Sequence, residues 1–168
     1  MRAARAGILI SVAAGVAQTL SYYTSLPDPV ASHFDLNGQP NGWSSRVSFF
    51  GTYLGSLVIV AGLFWIVPVL LQRSPDHRIS LPRRDYWLAP ERRRETLSLI
   101  SRRVLWFGFA IIAFMLCTIQ LVIQANLPQG GRLHMPAMWV LLGSVLTFAV
   151  VWCAGLLRGF LTGGRDAG

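Results

Sequence analysis

The most informative stretch of the sequence is QRSPDHRISLPRRDYWLAPERRRETLSLISRR, residues 72–103. It contains nine of the fifteen arginines of the chain, and long apolar runs precede and follow it. The nine are Arg73, Arg78, Arg83, Arg84, Arg92, Arg93, Arg94, Arg102 and Arg103. Because a connector this basic is costly to translocate across a bilayer, it is expected to stay in the cytoplasm and to orient the helices on either side.

The apolar runs on both sides are long enough to cross a membrane. The chain is 53% hydrophobic and only 13% charged, whereas a soluble domain typically has about twice that charged fraction. Three runs without a charged side chain are Phe49–Leu71, Val104–Ala125 and Met135–Leu157. Since about 20 apolar residues cross a hydrocarbon core about 30 Å thick, each run is predicted to be a transmembrane helix.

The first apolar run, Ala6–Tyr23, has two interpretations. A basic start, Met1–Arg5, followed by an apolar segment is typical of a secretory signal peptide. However, the segment continues into tyrosines that suit a membrane interface, and no convincing small-residue cleavage site follows. It is therefore predicted to be a retained first span, with Ser11, Gln18 and Thr19 facing other helices.

The arginine distribution predicts the orientation. Thirteen arginines lie at the two termini or in residues 72–103, whereas Arg46 and Arg132 lie in the other two connectors. This asymmetry is typical of four spans with both termini in the cytoplasm, and it accounts for the net charge of +8 without nucleic-acid binding. We therefore predict one all-α membrane domain over residues 1–168, a four-helix bundle in the cell membrane, ending in a disordered tail, Arg158–Gly168.

Residues 25–48 form the first outer connector in this topology. Pro27 and Pro29 enforce extended backbone, and two Asn-Gly pairs, at residues 37–38 and 41–42, signal turns. Apolar side chains such as Trp43 offer surface that can pack on the ends of the spans. The connector is therefore expected to be compact and ordered, with a short strand or hairpin.

The basic stretch itself divides into two parts. Residues 72–87 are interrupted by prolines and are expected to be irregular, with Tyr86 and Trp87 at the level of the lipid headgroups. From Pro90 a helix is favoured that continues into the third span, with ion pairs between Glu91 and Arg94 and between Glu95 and Arg92. The residues assigned to this cytoplasmic, lipid-facing surface are Arg83, Arg84, Tyr86, Trp87, Glu91, Arg92, Arg93 and Arg94. The cluster is either a topology determinant on a solvated face or a site for anionic lipid or a partner.

Three features within the spans bear on helix packing. Gly51 and Gly55 have the spacing of small residues that permits close helix contact, although this spacing also arises by chance. Pro68 is expected to kink or end the second span. Gln120 and Gln124 lie four residues apart on one helix face, where they either hydrogen-bond to other helices or line a wet crevice.

Few side chains in the outer connectors suit catalysis or metal binding. His33, Asp35 and His134 are conceivable metal ligands, but no spacing enforces a site, and His33 and Asp35 are expected instead to hold the turns of their own connector. A calcium loop starting at Asp35 is rejected because Pro40 stands where that loop needs glycine. No nucleophile, phosphate-loop or metalloprotease motif occurs. We therefore predict that the protein is not an enzyme and needs no metal and no cofactor.

The first outer connector also carries a family resemblance. Residues 26–43 read LPDPVASHFDLNGQPNGW, and residues 81–93 contain Leu-Pro, Tyr-Trp, Pro-Glu and Arg in that order. These segments resemble the N-terminal membrane domain, of unknown function, of the SdpI-like proteins, the sporulation-delaying-protein immunity family. The resemblance covers residues 1 to about 125, and the chain is shorter than the immunity protein, which has additional spans. It implies an integral membrane protein concerned with peptide-toxin immunity or signalling.

The resemblance further implies a non-enzymatic protein whose outer connector binds a peptide toxin or a membrane-protein partner. The residues expected to form this surface are Asp28, His33, Phe34, Asp35, Asn37, Gly38, Asn41, Gly42 and Trp43. Two other classes remain open at this point. One is an accessory membrane subunit of a transporter, and the other is a metal-dependent membrane enzyme that uses His33, Asp35 and His134.

Overall fold

The helices of the chain follow the apolar runs of its sequence. A computed structural model describes residues 1–162. In chain order the elements are α1 (Arg2–Tyr22), β1 (Val30–Phe34), β2 (Pro40–Ser44), α2 (Arg46–Arg73), a 3-10 turn (Asp76–Arg78), α3 (Arg84–Trp87), α4 (Pro90–Asn126) and α5 (Met135–Thr162). The two strands pair antiparallel, and the remaining elements of the described residues are helical.

Four of the helices, α1, α2, α4 and α5, are each long and apolar enough to cross a membrane. The prediction of four membrane-spanning helices is thus confirmed by length and composition. The helix expected to run from Pro90 into the third span is also confirmed, since α4 is continuous from Pro90 to Asn126. Proline can start this helix because the N–H that it lacks has no partner in the first turn.

One of the two outcomes predicted for Pro68, an end of the second span, is excluded, because α2 continues to Arg73, as membrane helices can when neighbouring groups satisfy the freed carbonyl. The predicted disordered tail is wrong for its first five residues, since α5 is helical as far as Thr162, the last described residue. Phe160 explains this extension, because its ring is buried edge-to-face against Trp87 with centroids 5.2 Å apart. The rest of that predicted tail, residues 163–168, lies outside the described residues.

The core of the bundle lies between α1, α2 and α4. Ile8, Leu57 and Ile112, one from each helix, are completely buried there. Gly108 brings α4 close to α2, since a Cβ built on it would lie 2.3 Å from Cγ of Phe64. α5 packs chiefly against α4, and none of its most apolar stretch is buried. The fourth span is therefore peripheral to the other three.

The small-residue spacing in α2 does not form a helix contact in the described structure. No atom lies within 4 Å of a Cβ built on Gly51 or Gly55. The packing face of α2 consists instead of Phe49, Tyr53 and Leu57, which repeat every four residues and are buried. The two glycines fall outside that stripe and face away from the bundle, so the suggested packing role is wrong for this chain.

The connector between α2 and α4, residues 74–89, folds back onto the start of α4. Ile79, Leu88 and Leu97 form a small buried cluster separate from the main core. Arg93 of α4 ties the connector down, because its Nε donates to Asp76 Oδ1 at 2.8 Å and its Nη2 donates to the carbonyl of Ser74 at 2.9 Å. The prediction that residues 72–87 are irregular is therefore only partly correct, because nine of these sixteen residues belong to the end of α2, the 3-10 turn or α3.

The ion pairs predicted along α4 are wrong. Within residues 1–162, neither Glu91 with Arg94 nor Glu95 with Arg92 forms an ion pair. Arg92 lies over the ring of Tyr86 instead, 3.9 Å from its centroid, and donates to the Tyr86 carbonyl at 3.3 Å. Tyr86 belongs to the connector and not to α4, so a prediction based on the helix alone could not include this partner.

Trp87 joins this connector to the end of the fourth span. Its Nε1 donates to the carbonyl of Phe160 at 3.0 Å, and the ring of Tyr86 packs edge-to-face with the Trp87 ring, with centroids 5.1 Å apart. Thr96 adds a hydrogen bond to the Trp87 carbonyl at 2.9 Å. Both aromatic rings are therefore held by protein contacts, and their location among lipid headgroups stays a prediction.

Candidate functional site

The connector between α1 and α2 forms a β-hairpin at one end of the bundle. The strands pair from Val30 opposite Ser44 to Phe34 opposite Pro40, with irregular register around His33. Two-stranded hairpins are marginal on their own in water. The position of this one must therefore come from contacts with the helices beneath it.

Asp35 builds the turn of the hairpin. Its Oδ1 accepts hydrogen bonds from the backbone N–H groups of Asn37 and Gln39, both at 2.8 Å. Gly38 completes the turn with φ +80°, a conformation that side chains bearing Cβ rarely adopt. The carboxylate of Asp35 thus has the structural role expected from the sequence, namely holding the turns of its own connector.

The turn docks on the connector between α4 and α5. The carbonyl of Gly38 accepts from the N–H of Leu133 at 2.9 Å, and a Cβ on Gly38 would lie 2.3 Å from the Leu133 carbonyl. When the Gln39 amide is oriented with its oxygen toward Arg132, that oxygen accepts two hydrogen bonds of 2.8 Å from the guanidinium. Only glycine fits at the closest point of this contact.

Asn126, at the end of α4, fixes the first strand from the other side. Its Oδ1 accepts from the N–H of Ala31 at 2.8 Å, and its Nδ2 donates to the Ala31 carbonyl at 2.9 Å. The same Nδ2 donates to the Val122 carbonyl of its own helix at 2.9 Å. The side-chain amide thus pairs with β1 as a neighbouring strand would, and it satisfies both backbone groups of a buried residue.

Asp28 ties the hairpin to the start of α2. Its Oδ1 accepts from the N–H of Arg46, the first residue of that helix, at 3.2 Å. Ser45, which immediately precedes the helix, is its N-cap residue. Its Oγ accepts a hydrogen bond from the N–H of Ser48 at 3.1 Å. The Arg46 guanidinium lies over the ring of Tyr23, 5.6 Å from its centroid. Asp28 is therefore a structural residue as well.

The predicted binding residues therefore divide into two groups. Asp28, Asp35 and Gly38 build and dock the hairpin, as described above. Phe34 and Gly42 are half-buried, and a Cβ on Gly42 would lie 3.0 Å from Cβ of His33. The members of the set that are exposed at the surface are Asp28, His33, Asn37, Asn41 and Trp43, and of these Asp28 also has the structural contact described above.

The largest exposed apolar side chains of the hairpin are Leu36 and Trp43, which are 79% and 58% exposed. Asn41 and Trp43 are two residues apart on β2 and so lie on one face of the strand. Sequence reasoning missed Leu36, although an apolar residue placed directly before an Asn-Gly turn was a usable signal. It also missed Asn126, which carried no signal beyond being an amide at the end of an apolar run.

A polar network crosses the bundle beneath the hairpin. The hydroxyl of Tyr53 donates to Gln18 Oε1 at 2.6 Å, and Gln18 Nε2 donates to Gln120 Oε1 at 2.7 Å. Gln120 Nε2 in turn donates to the hydroxyl of Tyr22 at 3.3 Å. Of the two glutamines predicted to act together, Gln120 bonds between helices and Gln124 is exposed.

The conceivable metal ligands are not gathered into one group. The carboxylate of Asp35 accepts the two turn hydrogen bonds, and His134 Nδ1 accepts from the N–H of Ala137 at 3.2 Å at the start of α5. His33 Nδ1 lies 3.2 Å from the hydroxyl of Ser32. Within residues 1–162, no cluster of three or more His, Cys, Asp or Glu side chains is placed to hold a metal ion.

The predicted basic surface at the opposite end is partly engaged. Arg92 and Arg93 are half-buried in the contacts described above, whereas Glu91 and Arg94 are exposed. Arg83, with φ 51°, and Arg84 are also exposed, and Arg84 Nε lies 3.5 Å from Asp85 Oδ1. Of these exposed arginines, Arg83 and Arg84 lie at the start of α3 and Arg94 lies in the second turn of α4.

Comparison with known proteins gives one result. Neither the curated proteins nor the solved structures contain a significant match to this chain. The sequence matches the domain of unknown function DUF1648 over residues 8–56, which run from the second turn of α1 through the hairpin to the third turn of α2. The chain is thus a helical protein with four membrane-type spans, and its first span and hairpin are similar to a domain of unknown function.

Proposed function

We propose that the protein is a non-enzymatic, multi-pass protein of the cell membrane that binds a peptide or protein partner at its hairpin. In this proposal the hairpin faces outward and both termini are cytoplasmic, as the arginine distribution favours. The resemblance to SdpI-like immunity proteins supplies the class of process, which is protection from a peptide toxin or a related signal. The match to a domain of unknown function over the hairpin supports its importance without defining its role.

The observation that carries the proposal is an apolar surface on a rigid support. The hairpin is fixed by Asn126, by the Gly38 contact and by Asp28, yet the side chains of Leu36 and Trp43 remain largely exposed. Exposed large apolar groups on a fixed backbone are typical of binding surfaces. A preorganised surface also loses little conformational entropy when it binds, which favours affinity.

The chemistry of the exposed surface indicates the kind of partner. The two acidic side chains of the hairpin region, Asp28 and Asp35, accept backbone hydrogen bonds, and the exposed side chains at the turn and along β2 are apolar or amide. A partner segment with an apolar side chain and amide groups is complementary to such a surface. At the other end, exposed arginines such as Arg94 are proposed to anchor the connector between α2 and α4 to anionic lipid headgroups.

Protection of cells provides the test. Cells that express the chain are challenged with a panel of secreted bacterial peptide toxins, and survival is compared with that of cells carrying Leu36→Ser and Trp43→Ser. We expect both variants to lose protection, whereas Trp43→Phe retains it because an aromatic ring remains. The matched control is Leu161→Ser, because Leu161 is also exposed, at 54%, but lies at the end of α5. Membrane levels of each variant are measured by immunoblotting.

Two results would contradict the proposal. If the unaltered protein protects against no toxin in the panel, the immunity role is wrong. If it protects and the two hairpin variants protect equally well at equal membrane levels, the partner does not bind at the hairpin.

A second candidate function is an accessory subunit of a transporter. The observation that favours it is the peripheral fourth span, whose most apolar stretch has no buried residue in the described structure. A larger membrane protein packed on this helix would bury it. Co-purification of a permease in mild detergent, lost in Val150→Trp but kept in Trp43→Ser, would support this function; Val150 is 68% exposed on α5. The absence of any stoichiometric partner would leave α5 facing lipid alone.

A further inference from the structure

A cleft of about 500 Å³ lies beneath the hairpin, between α2 and α4. Its roof includes Ser32 and Ser44 of the hairpin, and its α4 wall includes Phe114 and Met115. The volume is within the range of about 300–1,000 Å³ that is usual for ligand sites. Thr52, on the α2 wall, is exposed, so the cleft opens on the side of the bundle.

The α2 wall carries a row of hydroxyl groups. Ser48, Thr52 and Ser56 all line the cleft, and they are spaced four residues apart on one helix face. Four residues of helix rise about 6 Å, which is close to the two-residue repeat of about 6.8 Å in an extended chain. No acidic side chain, lysine or arginine lines the cleft in the described structure.

Two further hydroxyls in this cleft lack partners. The Oγ of Ser44 and the Oγ1 of Thr118 are buried and have no hydrogen-bond partner among the described residues. Thr19, in the first span, shows the usual alternative, since its Oγ1 donates to the carbonyl of Gly15 one turn earlier. Ser44 and Thr118 both line the cleft, Ser44 from the hairpin and Thr118 from α4, so a ligand in the cleft lies next to both side chains.

We propose that this cleft binds an extended, uncharged, apolar segment of a peptide partner. Such a segment brings N–H and C=O groups at regular intervals, and in a membrane each of them must find a hydrogen-bond partner. The hydroxyl row on α2 and the unpartnered Thr118 supply those partners, while Phe114 and Met115 contact the apolar side chains. The hydrocarbon chain of a lipid fills such a cleft without using any hydroxyl, so the hydroxyl groups within the mainly apolar lining favour the peptide.

This inference rests on the proposed function, because it takes the hairpin partner as given and adds that part of this partner enters the bundle. The hairpin surface contacts the part of the partner outside the bilayer, and the cleft takes the adjoining apolar segment. The cleft directly adjoins the hairpin through Ser32 and Ser44, so one peptide chain can contact both.

Photo-crosslinking to the purified full chain in nanodiscs tests the inference. The probe is an acetylated and amidated tetrapeptide of valines and one photo-leucine. A second probe has the same side chains but N-methylated amides, which removes its N–H donors without adding charge. Thr118→Val removes the unpartnered hydroxyl while keeping the shape of the side chain. The control is Thr147→Val, because Thr147 is exposed on α5 and lies outside the cleft.

We expect saturable labelling at Phe114 or Met115 by the first probe. Because one hydrogen bond is worth about 1 kcal/mol, Thr118→Val should weaken labelling about fivefold, and N-methylation, which removes several N–H donors, should weaken it by at least that much. Thr147→Val should label like the unaltered chain. The inference is wrong, and the cleft is a lipid crevice, if both probes label equally or if Thr118→Val has no effect on labelling. The same conclusion follows if oleate displaces the peptide equally well from the unaltered chain and from Thr118→Val.

The two proposals can fail separately in these experiments. Labelling uses purified protein and does not depend on protection of cells. If the probe does not label the cleft but protection of cells still requires Trp43, only the assignment of the cleft is overturned. Normal labelling with no protection from any toxin overturns the immunity role and leaves the peptide site standing.

Discussion

Replacement of Asn126 by alanine is the sharpest test of how the hairpin is held. The substitution removes the acceptor of the Ala31 N–H and a donor to the Ala31 carbonyl, at 2.8 Å and 2.9 Å. Ala31 is only 7% exposed, so water reaches these two groups poorly. A buried backbone group left unpaired costs about 1–3 kcal/mol. Allowing for partial access of water, we expect Asn126→Ala to lower the free energy of unfolding by about 2–4 kcal/mol.

The assay combines a global and a local measurement. Unfolding in mixed micelles with increasing dodecyl sulfate reports the free energy of unfolding. Hydrogen exchange of residues 30–34 reports opening of the hairpin, and a loss of about 2 kcal/mol corresponds to exchange about 30-fold faster. The control is Gln124→Ala, because Gln124 is also an amide near the end of α4 but its side chain is exposed.

Asn126→Asp separates the two halves of the interaction. An aspartate keeps an acceptor for the Ala31 N–H but places a carboxylate against the carbonyls of Ala31 and Val122, which now contact Nδ2. It should therefore destabilise the hairpin at least as much as alanine does. If Asn126→Ala changes stability and exchange no more than Gln124→Ala does, the amide does not anchor the strand, and the hairpin is held by its turn and by Asp28.

Three further predictions address the turn, the interior and the orientation. Gly38→Ala should destabilise the protein by at least about 1 kcal/mol more than Gly131→Ala, because both glycines have φ +80° but only Gly38 lies against a backbone carbonyl; equal losses in dodecyl sulfate unfolding would show that the turn does not dock. Tyr53→Phe should cost about 0.6–1.7 kcal/mol in the same assay, since it removes the donor to Gln18; an unchanged stability would mean that the network adds nothing. Single cysteines at Asn41→Cys and Ser80→Cys, in a chain without native cysteines, should react with an impermeant maleimide on intact cells at residue 41 and not at residue 80; the reverse pattern would invert the orientation.

Long apolar runs were sufficient to predict the spans, whereas helix neighbours were not predictable. Gly51 and Gly55 matched a packing motif but face away from the bundle, while Gly108, which fits no such pattern, makes the close contact with Phe64. A spacing rule identifies residues that share a helix face. It contains no information on which face meets another helix, because that depends on the other helices.

The same limit applies to the candidate site. The sequence correctly indicated that Asp35 would hold its own turn, since an aspartate before Asn-Gly bonds to backbone only a few residues away. It did not indicate that Asn126 pairs with Ala31 across 95 residues of chain. Nor did it show the cleft, whose lining comes from the hairpin, α2 and α4.

The sequence by itself determined the number of spans, the continuous helix from Pro90 and the local turn at Asp35. Each of these depends on the hydropathy of one segment or on backbone contacts within a few residues, and such quantities can be calculated without knowing the rest of the fold. The tertiary structure alone decided where the hairpin docks, which glutamine bonds between helices and which hydroxyls lack partners. These depend on how helices are rotated about their axes, and that rotation is set by side-chain packing summed over the whole bundle.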